Sequence, residues 1–137
     1  MMALKLPPNF DARVLHNEPL AKHTSWRVGG PADVFFKPRD IDELATFLRS
    51  LAPATPVYFL GLGSNVLVRD GGIRGVVIAT LGALTELKQL DANDVWAGSG
   101  VTCAKLAKQC VKWGSVPGMG GRSRRLSLWV GWDRFSK

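Results

Sequence analysis

Two apolar runs that flank a glycine-containing loop impose the strongest constraint on the fold of this chain. Residues 58–60 (Tyr-Phe-Leu) precede Gly-Leu-Gly-Ser-Asn at 61–65, and residues 66–68 (Val-Leu-Val) follow it. Glycine has no Cβ, so the backbone can bend here and a ligand can approach it closely. Successive N–H groups in such a bend form a concave anion site, to which Ser64 and Asn65 would add side-chain donors. The loop therefore predicts either a phosphate or pyrophosphate site or an ordinary turn between strands, since the same residue types form turns.

The residues after the loop exclude two common nucleotide-binding motifs. A Rossmann turn has a glycine at the sixth position and leads into a helix. Here the sixth residue is Val66, and the apolar run continues into a turn at residues 69–72 (Arg-Asp-Gly-Gly). The lysine of a P-loop is also absent. A phosphate at this loop would therefore be bound by loop amides and not by a helix N-terminus.

Two motifs, taken together, resemble one family of enzymes. The segment 61–68, followed by Asp-Gly-Gly-Ile-Arg-Gly-Val-Val-Ile at 70–78, is similar to the flavin-binding segment of bacterial UDP-N-acetylenolpyruvoylglucosamine reductases, also called UDP-N-acetylmuramate dehydrogenases. Upstream, residues 23–32 resemble the Asn-Thr-x-x-x-x-Gly-Gly-x-Ala element of this family, with His23 where Asn is usual. The order and spacing of the two motifs agree with the family over roughly residues 14–114.

The resemblance implies an α+β fold class with an FAD-binding domain. This domain is of the type found in vanillyl-alcohol oxidase and p-cresol methylhydroxylase, in which two α+β subdomains hold the cofactor between them. The chain would contain the first subdomain and only the start of the second, so the domain is expected to be incomplete. Residues 1–114 are assigned to the N-terminal part of the FAD-binding domain, and residues 115–137 to a divergent basic tail that we expect to be disordered.

The same resemblance implies an FAD-dependent oxidoreductase of peptidoglycan synthesis. Family members reduce the enolpyruvyl ether of UDP-N-acetylglucosamine to UDP-N-acetylmuramate: NADPH reduces the flavin, and the flavin supplies the hydride. The expected partners are the UDP-sugar and NADPH, in the cytoplasm, with no nucleic acid and no membrane. The catalytic serine, arginine and glutamate of the family lie beyond the matching part of this chain. No catalytic residue is therefore assigned, and the chain alone is expected to be inactive.

The resemblance assigns the cofactor to the glycine loop. Its pyrophosphate contacts are Gly61, Gly63, Ser64 and Asn65, and the residues that shape the loop are Leu62, Val66 and Leu67. On this assignment, a valine at Gly63 would fill the space of a phosphate and leave the sheet intact. Neither His16 nor His23 has the neighbours of a metal site, so no metal is expected.

The basic charge leaves a second function open. The net charge is +7, but the first 114 residues hold 13 basic and 10 acidic residues, and the last 23 hold five basic and one acidic. From Ser115 the sequence switches to Arg, Ser, Trp and Gly, as a shifted reading frame would give; a genuine basic arm is the other interpretation. The alternative functions are thus a small basic nucleic-acid-binding protein or a fragment of another flavin oxidase of the same superfamily.

Local patterns predict alternating strands and helices. The expected strands are 32–37, 56–60, 74–80, 84–90 and 95–98. Asp40, with Glu43, predicts a capped helix that runs to Leu51. Thr102 predicts a second helix, whose core face would include Cys103, Leu106, Ala107, Cys110 and Val111.

The two cysteines would lie about 10 Å apart on this helix, too far for a disulfide, so buried free thiols are expected. Trp26 and Trp96 are expected in the core, and packing near a flavin is the other interpretation. No apolar run is long enough to span a membrane, and the N-terminus lacks the features of a secretion signal.

Overall fold

A mixed four-stranded sheet forms the centre of the computed structural model, which describes Phe10, residues 13–91 and residues 94–114. The strands are β1 (Val14–Pro19), β2 (Pro31–Phe36), β3 (Val57–Leu60) and β4 (Ile73–Ala79), and their order in the sheet is β1-β2-β4-β3. Strands β2, β4 and β3 are parallel, whereas β1 runs antiparallel to β2. A 3₁₀ turn (Leu20–His23) joins β1 to the segment before β2.

One face of the sheet is covered by helix α1 (Ile41–Ser50), which connects β2 to β3. Asp40 begins the helix as predicted, because its carboxylate accepts a hydrogen bond from the Glu43 amide at 2.8 Å. The apolar stripe of α1 buries Leu44 and Phe47, and the Phe47 ring stacks on Phe36 with 4.0 Å between centroids. The buried cluster on this face consists of Phe10, Val14, Val34, Phe36, Leu44, Phe47, Val76 and Ile78.

The opposite face of the sheet is covered by the 3₁₀ turn and by the connection between β3 and β4. Because neighbouring side chains of a strand alternate between faces, Phe35 and Val77 point away from α1. Ala32 is buried in the same cluster as Phe35, and the register of β2 with β4 shifts between Ala32 and Val34. Residues 61–72 lead from the end of β3 back to the start of β4 and bury Val68 against this face. The cluster comprises Leu20, Ala32, Phe35, Leu60, Val68, Val77 and Ala79.

A smaller unit follows in the chain. Strands β5 (Leu87–Gln89) and β6 (Val95–Ala97) form an antiparallel pair, and helix α2 (Cys103–Lys112) buries Leu106 and Cys110 beside Val95. In the described part of the chain, no helix combines the length and the apolar character needed to cross a bilayer. The α+β class is confirmed.

Several local expectations are wrong, and each error has a physical reason. Strand β1 was not predicted, because its ladder with β2 depends on a distant segment and not on a pattern of its own. The strand expected at 84–90 is limited to Leu87–Gln89, where β6 supplies the hydrogen bonds. The side chain of Trp26 is 68% exposed and does not enter the core; Trp96 is partly buried.

The core face of α2 is narrower than expected. Cys110 is fully buried, but Cys103, Ala107 and Val111 are exposed, because the helix packs on a sheet of only two strands. Both cysteines are free, as expected. The tail assigned to residues 115–137, with the disorder and the frame shift inferred for it, lies outside the described residues.

Candidate functional site

The glycine loop lies at the carboxyl end of β3, beside the end of β4. The two strand ends are joined there because the Thr80 amide donates to the Leu60 carbonyl at 2.9 Å. The Thr80 hydroxyl donates in turn to the Ser99 carbonyl at 3.1 Å, which brings the segment before α2 to the same edge. Ligands of open sheets with parallel strands commonly bind outside these carboxyl ends. The position of the loop is therefore that of a ligand site.

The backbone of the loop presents donors without internal partners. Within the residues that the structure describes, none of the amides of residues 62–66 donates a hydrogen bond. In the backbone hydrogen bond that the described residues make to the loop, the loop is the acceptor: the Ser25 amide donates to the Gly63 carbonyl at 3.0 Å. Ser64 and Asn65 are exposed at the same turn. A bend with free amides, a hydroxyl and an amide side chain can bind an anion such as a phosphate.

The two glycines of the loop have different surroundings. A Cβ placed on Gly61 would have no atom within 4 Å, so the loop borders open space there. Gly63 has a φ of +71°, and a Cβ on it would overlap the His23 carbonyl oxygen and lie 3.2 Å from the Thr24 Cα. The expectation that a valine at Gly63 would leave the fold intact is therefore wrong. Glycine is required at 63 by the neighbouring backbone, whereas at 61 nothing in the described chain requires it.

The upstream motif packs against the rest of the same connection. The Gly30 amide donates to the Arg69 carbonyl at 3.0 Å, and a Cβ on Gly30 would overlap the carbonyl of Asp70. Reciprocally, a Cβ on Gly72 would overlap the Pro31 carbonyl. The motifs at 23–32 and 61–75, which are separate in the sequence, thus form one backbone-to-backbone assembly that determines the course of the loop.

An apolar cleft of about 210 Å³ opens beside the loop on the sheet face opposite α1. Its walls are formed by Leu20, Thr24, Tyr58, Phe59, Leu60, Val66, Val68, Ile73 and Val77. Other apolar side chains of the two motifs are exposed, and among them Leu67 is 74% exposed and Leu62 is 53% exposed. Pockets for cofactors usually measure about 300–1,000 Å³. The cleft is smaller, so the described residues form one wall of such a pocket.

A hydrogen-bonded pair of side chains lies behind the loop. Nε2 of His23 is 3.0 Å from the Glu18 carboxylate, and the His23 ring stacks on Phe35 with 4.2 Å between centroids. The hydrogen bond from His23 lowers the pKa of Glu18; partial burial opposes this shift, and the nearby Lys22 adds to it. The sequence does not predict this pair. Glu18 lies near the end of β1, a strand that was not predicted, and its spacing from His23 matches no motif that would indicate a contact.

The described residues contain no candidate metal site. No group of three or more His, Cys, Asp and Glu side chains is placed there to hold a metal ion. His16 is exposed at the sheet edge, and the acidic residues at the start of α1 serve the helix cap.

The mixed sheet has a loop and an apolar cleft at the carboxyl ends of its parallel strands, which is a common arrangement in ligand-binding α/β domains. Residues 32–127 match the family model described as the FAD binding domain, so the chain belongs to that family. Because the match includes β2, the glycine loop and β4, the predicted α+β FAD-binding fold class is confirmed.

Curated relatives specify the resemblance further. The chain is 53% identical over 98 residues to the UDP-N-acetylenolpyruvoylglucosamine reductase of Methylococcus capsulatus. The matched region covers 72% of this chain and 32% of the relative. It is 52% identical over 99 residues to the reductase of the same name from Nitrosococcus oceani, covering 72% of this chain and 33% of the relative. A Legionella pneumophila reductase is 47% identical over 122 residues, covering 83% of this chain and 40% of that relative.

These matches confirm the family resemblance drawn from the two motifs. They also show how much of the relatives is shared: the chain spans about a third of the length of the relatives it matches.

Proposed function

We propose that this chain is the FAD-binding part of an NADPH-dependent reductase that converts UDP-N-acetylglucosamine enolpyruvate to UDP-N-acetylmuramate in the cytoplasm. The observation that carries the proposal is the glycine loop, with its free amides and the open space at Gly61. The names of the relatives support the substrate class, and the family match supports FAD as the cofactor.

The residues of the loop fit a pyrophosphate. The amides of residues 62–66 have no other partner in the described chain, so they are available to the phosphate oxygens. Ser64 and Asn65 would add a hydroxyl and an amide donor. Gly61 would let a phosphate approach the backbone, because no Cβ occupies that space. The assignment of Gly61, Gly63, Ser64 and Asn65 to the pyrophosphate is part of this proposal.

The apolar side chains would orient the cofactor and exclude water. Leu62, Val66 and Leu67 shape the loop, and Val66 also lines the cleft. FAD, when bound, supplies the hydride for the reduction, with NADPH as the source of electrons. The role proposed for the described residues is binding, and the reaction itself is proposed for the whole enzyme.

A substitution at Gly61 tests the assignment. We expect Gly61→Val to keep the unbound fold, because its Cβ would have no atom within 4 Å, and to block the approach of a phosphate. Loss of one or two hydrogen bonds to a charged group costs about 1.5–3 kcal/mol, so FAD affinity should fall roughly tenfold to a hundredfold. The measurement is a calorimetric FAD titration of the 137-residue chain.

Gly71→Val is the matched control. A Cβ on Gly71 also has no atom within 4 Å, but this residue lies at the opposite end of the connection, before β4. The control variant should bind FAD like the unmodified chain. Unchanged affinity in Gly61→Val, or an equal loss in both variants, would remove the loop from the site.

A further inference from the structure

We propose that Glu18 and His23 form a clamp that holds the glycine loop in its binding conformation, which makes His23 a positioning residue for the cofactor. This inference rests on the proposed function of the loop. The clamp is built from three segments that are distant from the loop in sequence: the end of β1, the 3₁₀ turn and β2.

The imidazole of His23 is fixed from two sides. Its Nε2 lies 3.0 Å from the Glu18 carboxylate, and its ring lies almost parallel to Phe35, with an interplanar angle of 22°. Phe35 is buried in β2, and Glu18 belongs to the strand paired with it, so both contacts attach His23 to the sheet. An ionised carboxylate only accepts hydrogen bonds, so Nε2 carries the proton and His23 is the donor.

The backbone of the same residue contacts the loop. The His23 carbonyl lies against Gly63, at the position that a Cβ would need. Two residues later, the Ser25 amide donates to the Gly63 carbonyl at 3.0 Å. Between them, Thr24 is buried, and its hydroxyl donates to the Val28 carbonyl at 3.3 Å. A displacement of His23 is therefore transmitted to Gly63 through a short, packed segment.

The charges around the pair favour the clamp. The hydrogen bond from His23 lowers the pKa of Glu18, so the carboxylate stays ionised and remains an acceptor. Lys22 also approaches Glu18, at 3.5 Å, but its side chain is 64% exposed, and among the described residues no hydrogen bond or ion pair joins it to the loop. Lys22 and Glu18 are the charged groups recorded around His23 in the described chain. Lys22 and His23 approach the same carboxylate, but in the described chain only His23 also contacts the loop. The Lys22 variant therefore distinguishes a general effect of charge near Glu18 from loss of the clamp.

Four single variants of the full 137-residue chain, and the double variant Glu18→Ala/His23→Phe, test the inference. Glu18→Ala removes the acceptor, and Glu18→Gln keeps an acceptor oxygen. His23→Phe keeps the ring stack but removes the donor, and Lys22→Ala is the control. Two quantities are measured: the hydrogen exchange rate of the Ser25 amide without flavin, and the FAD dissociation constant.

Loss of the clamp should affect both quantities together. Glu18→Ala and His23→Phe should each accelerate Ser25 exchange and weaken FAD binding, by roughly threefold to tenfold, as expected for one hydrogen bond. The double variant should show no further loss, because the two changes remove the same bond. Glu18→Gln and Lys22→Ala should stay within about twofold of the unmodified chain in both measurements.

The exchange rate of the Val77 amide in β4 provides an internal reference for global stability. An equal acceleration at Val77 and Ser25 would overturn the clamp, since the variant would then destabilise the whole sheet. Equal effects of Lys22→Ala and Glu18→Ala would also overturn it, and so would faster Ser25 exchange with unchanged FAD affinity. Failure of the unmodified chain to bind FAD would contradict the proposed function instead, and Ser25 exchange would still test the contact between His23 and the loop.

Discussion

Gly61 and Gly63 look equivalent in the sequence, and the structure shows that they are not. The resemblance assigns both to the pyrophosphate, and either glycine would allow the backbone to bend and a ligand to approach it. Gly63 is enclosed by the backbone at His23 and Thr24, and its φ lies in the left-handed region. A sequence records the absence of a Cβ but not the identity of the atoms that exclude it, so this distinction depends on tertiary structure.

Gly63→Ala should therefore lower the stability of the fold itself. Left-handed backbone strain in a residue with a Cβ costs about 1–3 kcal/mol, and overlap with the His23 carbonyl adds to that cost. The free energy of urea unfolding without flavin measures this effect. Gly71→Ala is the control, since it has open space and no positive φ. Equal stability of the two variants would mean that the contact with His23 relaxes without cost.

Glu18 should make the fold sensitive to acid. Its pKa is lowered from 4.5 in the folded chain, mainly by the hydrogen bond from His23, so the folded state binds this proton more weakly than the unfolded state. The resulting stabilisation is fully present above pH 4.5 and is lost as the pH falls below that value, through the folded pKa.

Unfolding free energy measured against pH tests this dependence. Glu18→Gln cannot titrate, so its stability should fall less steeply than that of the unmodified chain on acidification below pH 4.5. Parallel pH curves for the two proteins would show that Glu18 binds protons equally in both states.

Elements defined by local signals were predicted, and elements defined by distant partners were not. Helix α1 follows from Asp40, Glu43 and a local apolar stripe, and the structure shows the same start. Even there, Ile41, the apolar first residue of the helix, is exposed. Strand β1 has no comparable signal, because only the ladder with β2 makes it a strand. The same limit applies to the site: the loop was found from its residue types, but no local pattern shows that the 23–32 motif packs against it, which only the structure shows.

The cap of α1 gives a matched pair of substitutions. Asp40→Ala removes the side chain that accepts from the Glu43 amide, so it should cost about 0.5–2 kcal/mol of stability. Asp42→Ala removes the same charge in the same first turn, but no side-chain cap bond is lost. Thermal unfolding of both variants should give the larger decrease in Tm for Asp40→Ala. An equal decrease would show that the charge near the helix terminus, and not the cap bond, stabilises α1.

The described chain contains the glycine loop and one wall of a pocket, and the resemblance implies that the catalytic groups of the family lie outside it. The relatives are about three times as long as the region they share with this chain. The serine, arginine and glutamate implied by the resemblance lie outside the matching motifs. Orientation of substrate and stabilisation of developing charge depend on such groups, so FAD binding and turnover are separable properties here.

The purified 137-residue chain should accordingly show no NADPH-dependent reduction of the enolpyruvyl sugar nucleotide, even with FAD added. Oxidation of NADPH, followed by its absorbance, should stay at the rate of free flavin. The full-length reductase of Methylococcus capsulatus, 53% identical over the shared region, is the positive control. Turnover clearly above the free-flavin rate would mean that this chain contains catalytic groups that the resemblance does not identify.

The backbone assembly between residues 29–31 and 69–72 has a consequence for the folding kinetics of this chain. The two segments are about 40 residues apart in the sequence, and β2, β3 and β4 are parallel. The chain between the segments must therefore bring them together before any contact of the assembly can form. The glycine loop acquires its shape only when this closure is complete, which places it late on the folding pathway. A ligand that recognises the finished loop then has little to bind in the transition state. Such a ligand lengthens the lifetime of the native state by slowing unfolding, and it leaves the folding rate almost unchanged.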